Sequence, residues 1–425
     1  MIVTSIKAFP LRIPFKAGTR SAASAWGPGG LQAVDSLLVK VTTDEGLEGW
    51  GEAFGFTGVP VTQRAIDEVI APLCLRQDPL CIVPLMAKVQ EKLHIFGRGG
   101  PLTQALSAVD IALWDIAGKA AGVPLYRLLG GGRPDLACYA SLNAYSDPEL
   151  VRAAVRRALE AGFGGFKLHE KELPVIRAAR QEAGPDPAMM VDVNCAWTVN
   201  QARARMEELA ELRLKWVEEP VWPPENYDGL AQVRGTAGVS VAAGENAWTL
   251  LEFGRLLDAG AVDFVQPSVA KMGGVTELCK VFTLAANRNV AVMPNTFYDG
   301  PGLLAAIHVT AVLGTAEAMI EWRYFDLEAP LYGDELIMEN GRVQVPQGPG
   351  LGIDPDPHVI NAYLQASLAD LVILSYPAGA GWAGVGFPVF RRPRCRCKST
   401  RQGSPRQRPA LVAGQARARA HRTWR

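Results

Sequence analysis

The sequence lacks the features that place a chain in a membrane, a zinc fold or a disulfide framework. No apolar run reaches the roughly 18 to 20 residues that a membrane-spanning helix needs. The seven cysteines include no Cys-x-x-Cys pair with a matching partner, so neither a zinc ribbon nor a disulfide framework is indicated. The N-terminus lacks the charged and then apolar layout of a signal peptide. We therefore expect a cytoplasmic protein without membrane contact.

The chain also has no net charge, but its basic and acidic residues are unevenly distributed along the sequence. Residues 366–425 carry 12 basic residues and one acid, whereas residues 1–365 carry 31 basic residues and 42 acids. The basic stretch is rich in Arg, Pro, Gly and Ala and has no amphipathic pattern, so we expect a disordered tail. One interpretation is an arm that binds nucleic acid or an acidic surface. The abrupt change in composition, without interleaved aromatic residues, instead favours out-of-frame translation of a GC-rich gene.

Length and apolar content are sufficient for two domains. The chain has 425 residues, of which 48% are hydrophobic. Residues 1–130 alternate as three strands and then show helical periodicity over 62–77, 83–93 and 102–121, which indicates an α+β domain. Between the first two strands, residues 21–30 form a Gly/Pro-containing loop around Trp26. We interpret this loop as a mobile lid over a site, the alternative being a plain connection.

Residues 131–365 repeat a different unit, in which short apolar runs alternate with helical segments. The candidate strands end at Ala144, His169, Asn194, Pro220, Asn246, Ser268, Asn295 and Arg323. Five charged residues recur along this region at intervals of 25 to 27 residues: Lys167, Asp192, Glu218, Glu245 and Lys271. Such an interval fits one strand, one helix and two short loops. In a parallel βα barrel these strand ends converge on one mouth, so we expect the five side chains to face one another.

Three of these residues are carboxylates suited to a hard metal ion. Asp192, Glu218 and Glu245 have no His or Cys at matching positions, which favours Mg²⁺, with Mn²⁺ as the alternative. Burying them together without a cation is unfavourable because like charges raise one another's pKa. Glu219, next to Glu218, is expected to point to the other face of its strand. Asn246 and Asn194 are each interpreted as a donor to a ligand or as a turn former.

The flanking residues can move protons. Lys167 and Lys271 lie one strand before and one strand after the carboxylates, and a lysine with a lowered pKa in a dry site can act as a general base. His169 shares the inward face of Lys167 and adds a second titratable group. For Glu321, at the last strand, two roles are open: holding a substrate oxygen or pairing with Arg323.

These residues resemble the enolase superfamily, in its mandelate racemase and muconate lactonizing enzyme branch. The resemblance spans roughly residues 1–365. It rests on the motifs TTDEGLEGWGEA, ALSAVDIALWDIAGKAAGVPLYRLLGG, FKLHE, VDVN, WVEEP, AAGEN and PSVAKMGG. It implies an α/β fold, a (β/α)₇β TIM-like barrel over 131–365 under the capping domain of 1–130. It also implies one essential Mg²⁺ and abstraction of the proton α to a carboxylate, which leaves an enediolate.

The resemblance assigns roles by position. It makes Lys167 and Lys271 the lysines of the second and sixth strands, and it places the lid loop on the family's specificity loop. The implied metal ligands are Asp192, Glu218 and Glu245, and Glu321 is the last-strand glutamate. Trp26, Asn194 and Phe297 are the candidate substrate-binding residues.

The sequence departs from the family pattern in two respects. His169 stands where many members have a second lysine on the second strand. Phe297 and Ser268 stand where racemase-like members have a His–Asp dyad. The opposite acid/base is therefore expected to be Lys271.

The leading hypothesis is dehydration of an acid sugar or hydroxy acid, a small-molecule carboxylate. A racemase, epimerase or cycloisomerase is the alternative, because His169 or Lys167 and Lys271 on opposite faces of a substrate suit proton transfer in both directions. A barrel retained only as a structural or binding protein is the third hypothesis, which the intact carboxylate triad disfavours. We also expect a homo-oligomer.

Overall fold

The structure is a computed structural model that describes residues 1–16 and 32–365. The loop with Trp26 and the basic tail lie outside the described residues, so what we expect of both stays a prediction. In the described part of the chain, no helix combines the length and apolarity needed to cross a membrane.

An antiparallel sheet and a set of helices form the first part of the chain. Its strands pair in sequence order: β1 (Val3–Lys16), β2 (Ala33–Thr43) and β3 (Glu48–Ala53). The helices that follow are α1 (Val59–Ala65), α2 (Ala71–Cys74), α3 (Ile82–Lys92), α4 (Pro101–Ala121) and α5 (Leu125–Leu128), with a π-helical stretch over Ile66–Ile70 between α1 and α2. Helix α4 begins with Pro101 and is capped after Ala121 by Gly122, whose φ of +68° suits a left-handed cap. The strands and helices predicted here are present.

The rest of the described chain folds as a parallel barrel. Its strands are β4 (Asp135–Ser141), β5 (Gly165–Leu168), β6 (Ala188–Asp192), β7 (Trp216–Glu218), β8 (Val241–Ala243), β9 (Phe264–Val265), β10 (Ala291–Val292) and β11 (Met319–Arg323). The connecting helices are α6 (Pro148–Glu160), α7 (Leu173–Ala183), α8 (Val199–Leu209), α9 (Tyr227–Val233), α10 (Leu250–Asp258), α11 (Gly274–Ala286) and α12 (Pro301–Leu313). Parallel pairing runs from β10 back to β4, and β11 lies beside β4. This is the predicted (β/α)₇β architecture.

Several strands end earlier than predicted. Asp192 and Glu218 are the last residues of β6 and β7, but β8 ends at Ala243, before Glu245. Lys271 lies in the turn between β9 and α11. Gly244, with a φ of +137°, takes the chain out of the ladder, which lets Glu245 turn back over the barrel mouth.

A layer of large side chains fills the barrel beneath the mouth. Tyr139, Met190, Trp216 and Met293 form a separate buried cluster. Met190 and Trp216 each precede a proposed ligand by two residues, so they share its inward face one layer lower. The carboxylates therefore lie directly above a closely packed layer of buried side chains.

The closing elements are β12 (Asp326–Leu327), β13 (Met338–Glu339), β14 (Arg342–Gln344) and α13 (Pro357–Tyr363). Strands β13 and β14 form a hairpin beside β4 of the barrel, whereas the other closing residues return to the first sheet. Strand β12 pairs with the end of β1, and the Gln365 N–H donates to the Pro10 carbonyl over 2.8 Å. The predicted fold-back of 352–365 is therefore present. The domain boundaries at 130 and 365 stay predictions.

Candidate active site

Three carboxylates meet at the mouth of the barrel. Asp192 and Glu218 are register partners on β6 and β7, and Glu245 joins them from the loop after β8. One carboxylate oxygen of each lies within 4.8 Å of the others. Asp192 and Glu218 are buried, whereas Glu245 is half-buried. The spacing is that of ligands around one cation.

The electrostatics of the group also fit a cation. Burial raises the pKa of Asp192 to about 7, and Glu245 adds to this effect while Lys167 opposes it. Burial likewise raises the pKa of Glu218 to about 8, again against Lys167 and with the help of Asp192. These anions are thus destabilised where they stand, and a divalent cation among them would remove that cost. The donor set contains only carboxylate oxygens, which Mg²⁺ prefers.

Lys167 is the buried counter-charge of the site. Its Nζ lies 2.8 Å from Oε1 of Glu218, 2.8 Å from Oε1 of Glu321 and 3.7 Å from Oδ2 of Asp192. Burial opposes the charged form, but Glu218 and Glu321 outweigh it and hold the pKa of Lys167 well above its ordinary value. The expected lowering of the pKa is therefore wrong for Lys167. Its surroundings make it a fixed cation.

The Glu321 carboxylate is held by neighbouring residues and does not pair with Arg323. Its Oε1 accepts from Lys167 and from the Ser141 hydroxyl at 2.7 Å, and its Oε2 accepts from the Thr296 N–H at 3.1 Å. Although burial opposes it, Lys167 lowers the pKa of Glu321. Arg323 pairs with Asp299 instead. The suggested pairing with Arg323 is therefore wrong, and Glu321 holds Lys167 instead. Its other suggested role, holding a substrate oxygen, stays a prediction.

His169 presents one nitrogen to the cavity. Its Nδ1 lies 2.6 Å from the Leu142 carbonyl oxygen, which can only accept, so Nδ1 carries the proton. Nε2 is then the basic nitrogen, and it lies 3.5 Å from Oδ2 of Asp192. Burial and the charge of Lys167 lower the pKa of the imidazole. Tautomer and environment both suit a neutral base.

Lys271 has a different environment from Lys167. Its Nζ lies 4.6 Å from the ring centroid of Phe54 and 5.8 Å from that of Trp248. Throughout residues 1–16 and 32–365, no carboxylate forms an ion pair with it. Aromatic faces stabilise an ammonium group without removing its protons, which leaves Lys271 available for proton transfer to a substrate.

A cavity of about 250 Å³ opens beside these groups. The sequence predicted seven of its lining residues as site residues or their neighbours: His169, Asp192, Asn194, Glu245, Asn246, Lys271 and Phe297. Phe297 packs edge-on against the His169 ring, with centroids 5.4 Å apart. The Asn194 N–H donates to Asp192 over 2.8 Å from a turn with positive φ, so Asn194 acts as a turn former there.

Other lining and supporting residues were missed. Phe54, Phe56, Gln104 and Trp248 line the cavity from outside the barrel strands, and no motif in the sequence marks them. Asn295 donates through Nδ2 to Glu245 at 2.9 Å and to Glu321 at 3.3 Å. Its place at a predicted strand end, in line with the ligands, is the signal that could have found it.

Two further side chains donate to the triad carboxylates. Gln266 donates to Oε2 of Glu218 over 2.7 Å. Asn246 donates to Oε1 of Glu245 over 3.4 Å, in line with its predicted role as a donor to a ligand, and also to Oε2 of Glu219 over 2.6 Å. Glu219 lies outside the triad, and burial together with Glu245 raises its pKa to about 7.

Comparison with known proteins decides the family. Residues 149–359 match the family model "Enolase C-terminal domain-like". Residues 24–130 match the model of the mandelate racemase / muconate lactonizing enzyme N-terminal domain. The chain belongs to this family.

Relatives in the family include dehydratases and cycloisomerases. The arabinonate dehydratase of Saccharolobus solfataricus is 30% identical over 328 residues, which cover 75% of this chain and 88% of that protein. The D-galactarolactone cycloisomerase of Agrobacterium fabrum is 33% identical over 341 residues, with the same two coverages of 75% and 88%.

One similar solved structure contains magnesium. A racemase from Streptomyces coelicolor with bound magnesium is 28% identical and has a TM-score of 0.76, covering 86% of this chain and 100% of that one. The enolase-superfamily fold of this chain is thereby established.

Proposed function

We propose that this protein is a Mg²⁺-dependent dehydratase of an acid sugar or a related hydroxy acid. The observation that carries the proposal is the carboxylate triad beside a cavity with two dissimilar proton-transfer groups, His169 and Lys271. The dehydratases and cycloisomerases among its relatives support the same class of carboxylate substrate.

Asp192, Glu218 and Glu245 would hold the metal. When bound there, Mg²⁺ supplies positive charge beside the substrate carboxylate, where negative charge develops as the α proton leaves. Lys167 adds a second positive charge from the barrel floor, kept in place by Glu321. Neither group needs to exchange a proton for this role.

His169 and Lys271 divide the proton transfers. The lone pair on Nε2 of His169 takes the α proton of the substrate. The electron pair of the broken C–H bond first moves into the substrate carboxylate as an enediolate, and it then forms the new C=C bond as the β C–O bond breaks. A proton from the Lys271 ammonium group joins the departing hydroxide to form water. The enol product then becomes a keto acid, the proton on His169 returns to solvent, and Lys271 takes up a proton from solvent.

The alternative function is a racemase, epimerase or cycloisomerase. It rests on the same two groups, because a base and an acid packed against different ring clusters can serve opposite faces of one carbon. In that case Lys271 returns a proton to the α or β carbon, and no water is lost.

Substrate screening tests both functions. Acid sugars, hydroxy acids and N-modified amino acids are incubated with the protein and Mg²⁺ in D₂O, and products are followed by NMR and mass spectrometry. A dehydratase gives a keto acid lighter by one water, whereas an isomerase gives a product of unchanged composition that has exchanged hydrogen for deuterium. If no carboxylate in the screen exchanges its α proton, both proposals are wrong and the barrel is a binding or structural protein.

The finer assignments are part of the same proposal. We propose Mg²⁺ over Mn²⁺ because the similar racemase structure from Streptomyces coelicolor contains magnesium. A cytoplasmic location and a homo-oligomeric state stay predictions. The 1–130 and 131–365 boundaries are proposed as the limits of the capping domain and the barrel.

A further inference from the structure

Two barrel helices begin at glycines. Helix α11 has Gly273 as its N-cap and α12 has Gly300, and neither position offers a side chain to accept from the first N–H groups. Four of the other five barrel helices start with their own capping side chains: Asp147 for α6, Thr198 for α8, Asn226 for α9 and Thr249 for α10. Helix α7 has Glu172 at its N-cap, without a side-chain cap bond. The missing acceptors of α11 and α12 come from residues before 130.

Helix α4 supplies the acceptors for α11. The Thr276 N–H donates to Oδ1 of Asp110 over 3.0 Å, and the Gly273 N–H donates to the Ser107 hydroxyl oxygen over 2.8 Å. Trp114 donates to the Thr276 hydroxyl over 2.9 Å. Residues 107, 110 and 114 lie on one face of α4, as their helical spacing requires. Ser107 and Asp110 are fully buried, so no water competes for these bonds.

Strand β3 supplies the acceptor for α12. The buried Glu52 accepts through Oε2 from the Gly302 N–H over 3.0 Å. The Gly300 N–H also contacts this carboxylate. A carboxylate at a helix N-terminus is favoured both by the free N–H groups and by the helix dipole.

Glycine is needed at both helix starts. A Cβ on Gly274, whose φ is +81°, would lie 2.3 Å from Oδ1 of Asp110. A Cβ on Gly300 would lie 2.7 Å from Oε2 of Glu52. Neither approach is compatible with a side chain. The helix starts and the two carboxylates are therefore matched as pairs.

Each capped helix start follows a segment that forms the active site. The turn before α11 carries Lys271, and it is also tied to the first sheet by the Phe54 N–H, which donates to the Ala270 carbonyl over 3.1 Å. The loop before α12 carries Asn295 and Phe297. We propose that Asp110 and Glu52, which belong to the capping domain, are positioning residues. They hold these two segments in the positions that catalysis requires. The proposal rests on the proposed function in one respect, the catalytic role of Lys271.

Asp110→Ala tests the proposal against a matched control. It removes the acceptor that α4 provides for Thr276 in α11. The control, Asp147→Ala, removes the N-cap of α6, which is the residue directly before that helix. We expect Asp110→Ala to lower kcat by on the order of 10- to 100-fold through displacement of Lys271, with KM and Mg²⁺ affinity nearly unchanged. Asp147→Ala should leave kcat unchanged at a temperature where both variants are folded.

Two further variants separate positioning from general destabilisation. Asp110→Asn keeps the Oδ1 acceptor, and Oδ2 has no hydrogen-bond partner to lose, so this variant should restore most of kcat. Ser107→Ala removes the acceptor for Gly273, together with a bond to the Thr103 carbonyl inside α4, and should lower kcat in the same direction but less. If Asp110→Ala does not fold, Ser107→Ala still tests the proposal. Glu52→Gln and Glu52→Ala repeat the comparison for α12.

Hydrogen–deuterium exchange of backbone amides provides a readout that needs no substrate. The Gly273 and Thr276 amides should exchange faster in Asp110→Ala than in the native protein or Asp147→Ala. Unchanged exchange there, native-like kcat in Asp110→Ala, or an equal loss of kcat in Asp147→Ala each overturns the proposal. If the native protein turns over no carboxylate, the proposed function fails on its own, and the exchange experiment still decides whether the capping domain holds these helix starts.

Discussion

The Nζ of Lys167 lies 2.8 Å from Oε1 of Glu321, and both side chains are fully buried. Glu321 is in turn held by Ser141 and Thr296. This pair places a permanent positive charge beneath the ligand carboxylates instead of a titrating base. It thereby leaves His169 and Lys271 as the groups that we propose exchange protons with substrate.

Removing the positive charge of Lys167 should destabilise the protein. Lys167→Met leaves Glu218 and Glu321 buried without their cation, which costs roughly 3 to 5 kcal/mol in the free energy of unfolding. Urea denaturation without metal measures this loss. As a control, Arg205→Met breaks the exposed pair with Glu208 and should change stability by less than about 1 kcal/mol. Equal effects of the two variants would contradict the role of Lys167.

Amide variants of the triad should lose metal without losing the fold. Asp192→Asn, Glu218→Gln and Glu245→Gln keep the side-chain shape and relieve repulsion between buried carboxylates. We expect thermal midpoints near the native metal-free value, no rise on adding Mg²⁺, and no turnover. Calorimetric titration with Mg²⁺ and an activity assay check this, with Glu208→Gln as the control. Near-native activity in any two triad variants would refute the ligand assignment.

His169 and Lys271 variants should fail at different steps. His169→Asn removes the base, so α-proton exchange in D₂O should fall by about 10²- to 10⁴-fold. Lys271→Met keeps that base, so exchange should persist while water loss stops. Proton NMR of the substrate follows both events in one sample. Loss of exchange in Lys271→Met with retention in His169→Asn would reverse the two roles, and a racemase would lose exchange on one face in each variant.

Stability should depend on pH through His308. This buried residue accepts from the Tyr126 N–H and donates to the Leu351 carbonyl, and burial lowers its pKa to about 4. The unfolded chain, with a pKa near 6.5, binds more protons than the fold between these values. The contribution of His308 to stability therefore falls by roughly 3 kcal/mol as pH drops through that window.

His308→Gln isolates this effect, because glutamine can accept and donate but does not titrate. The free energy of unfolding is measured at several pH values from 6.5 to 4.5 in both proteins. The native slope should be steeper than that of the variant, and parallel slopes would show that His308 is not the group responsible. Other titrating groups contribute equally to both proteins and cancel in the comparison.

The spacing of charged residues was enough to predict the barrel and to bring Asp192, Glu218 and Glu245 together. A constant interval in a parallel barrel places side chains at one mouth whatever the loops do. The role of Lys167 was not predictable, because its pKa depends on which carboxylates surround it, and that depends on the packing of Glu321. Phe54 and Gln104 were missed because they reach the cavity through the docking of the first sheet and α4, which leaves no periodic signal.

The late pairing of β12 and Leu364 with β1 has a consequence during synthesis on the ribosome. Strand β1 ends at Lys16, yet the residues that cover its outer edge are Leu327 and Leu364, more than 300 residues later. At about 5 to 20 residues per second, that edge stays unpaired for roughly 15 s to 1 min in each nascent chain. Unpaired edges invite association with other strands. The nascent chain therefore passes through an interval in which protection of this edge by a chaperone favours a good yield of folded protein.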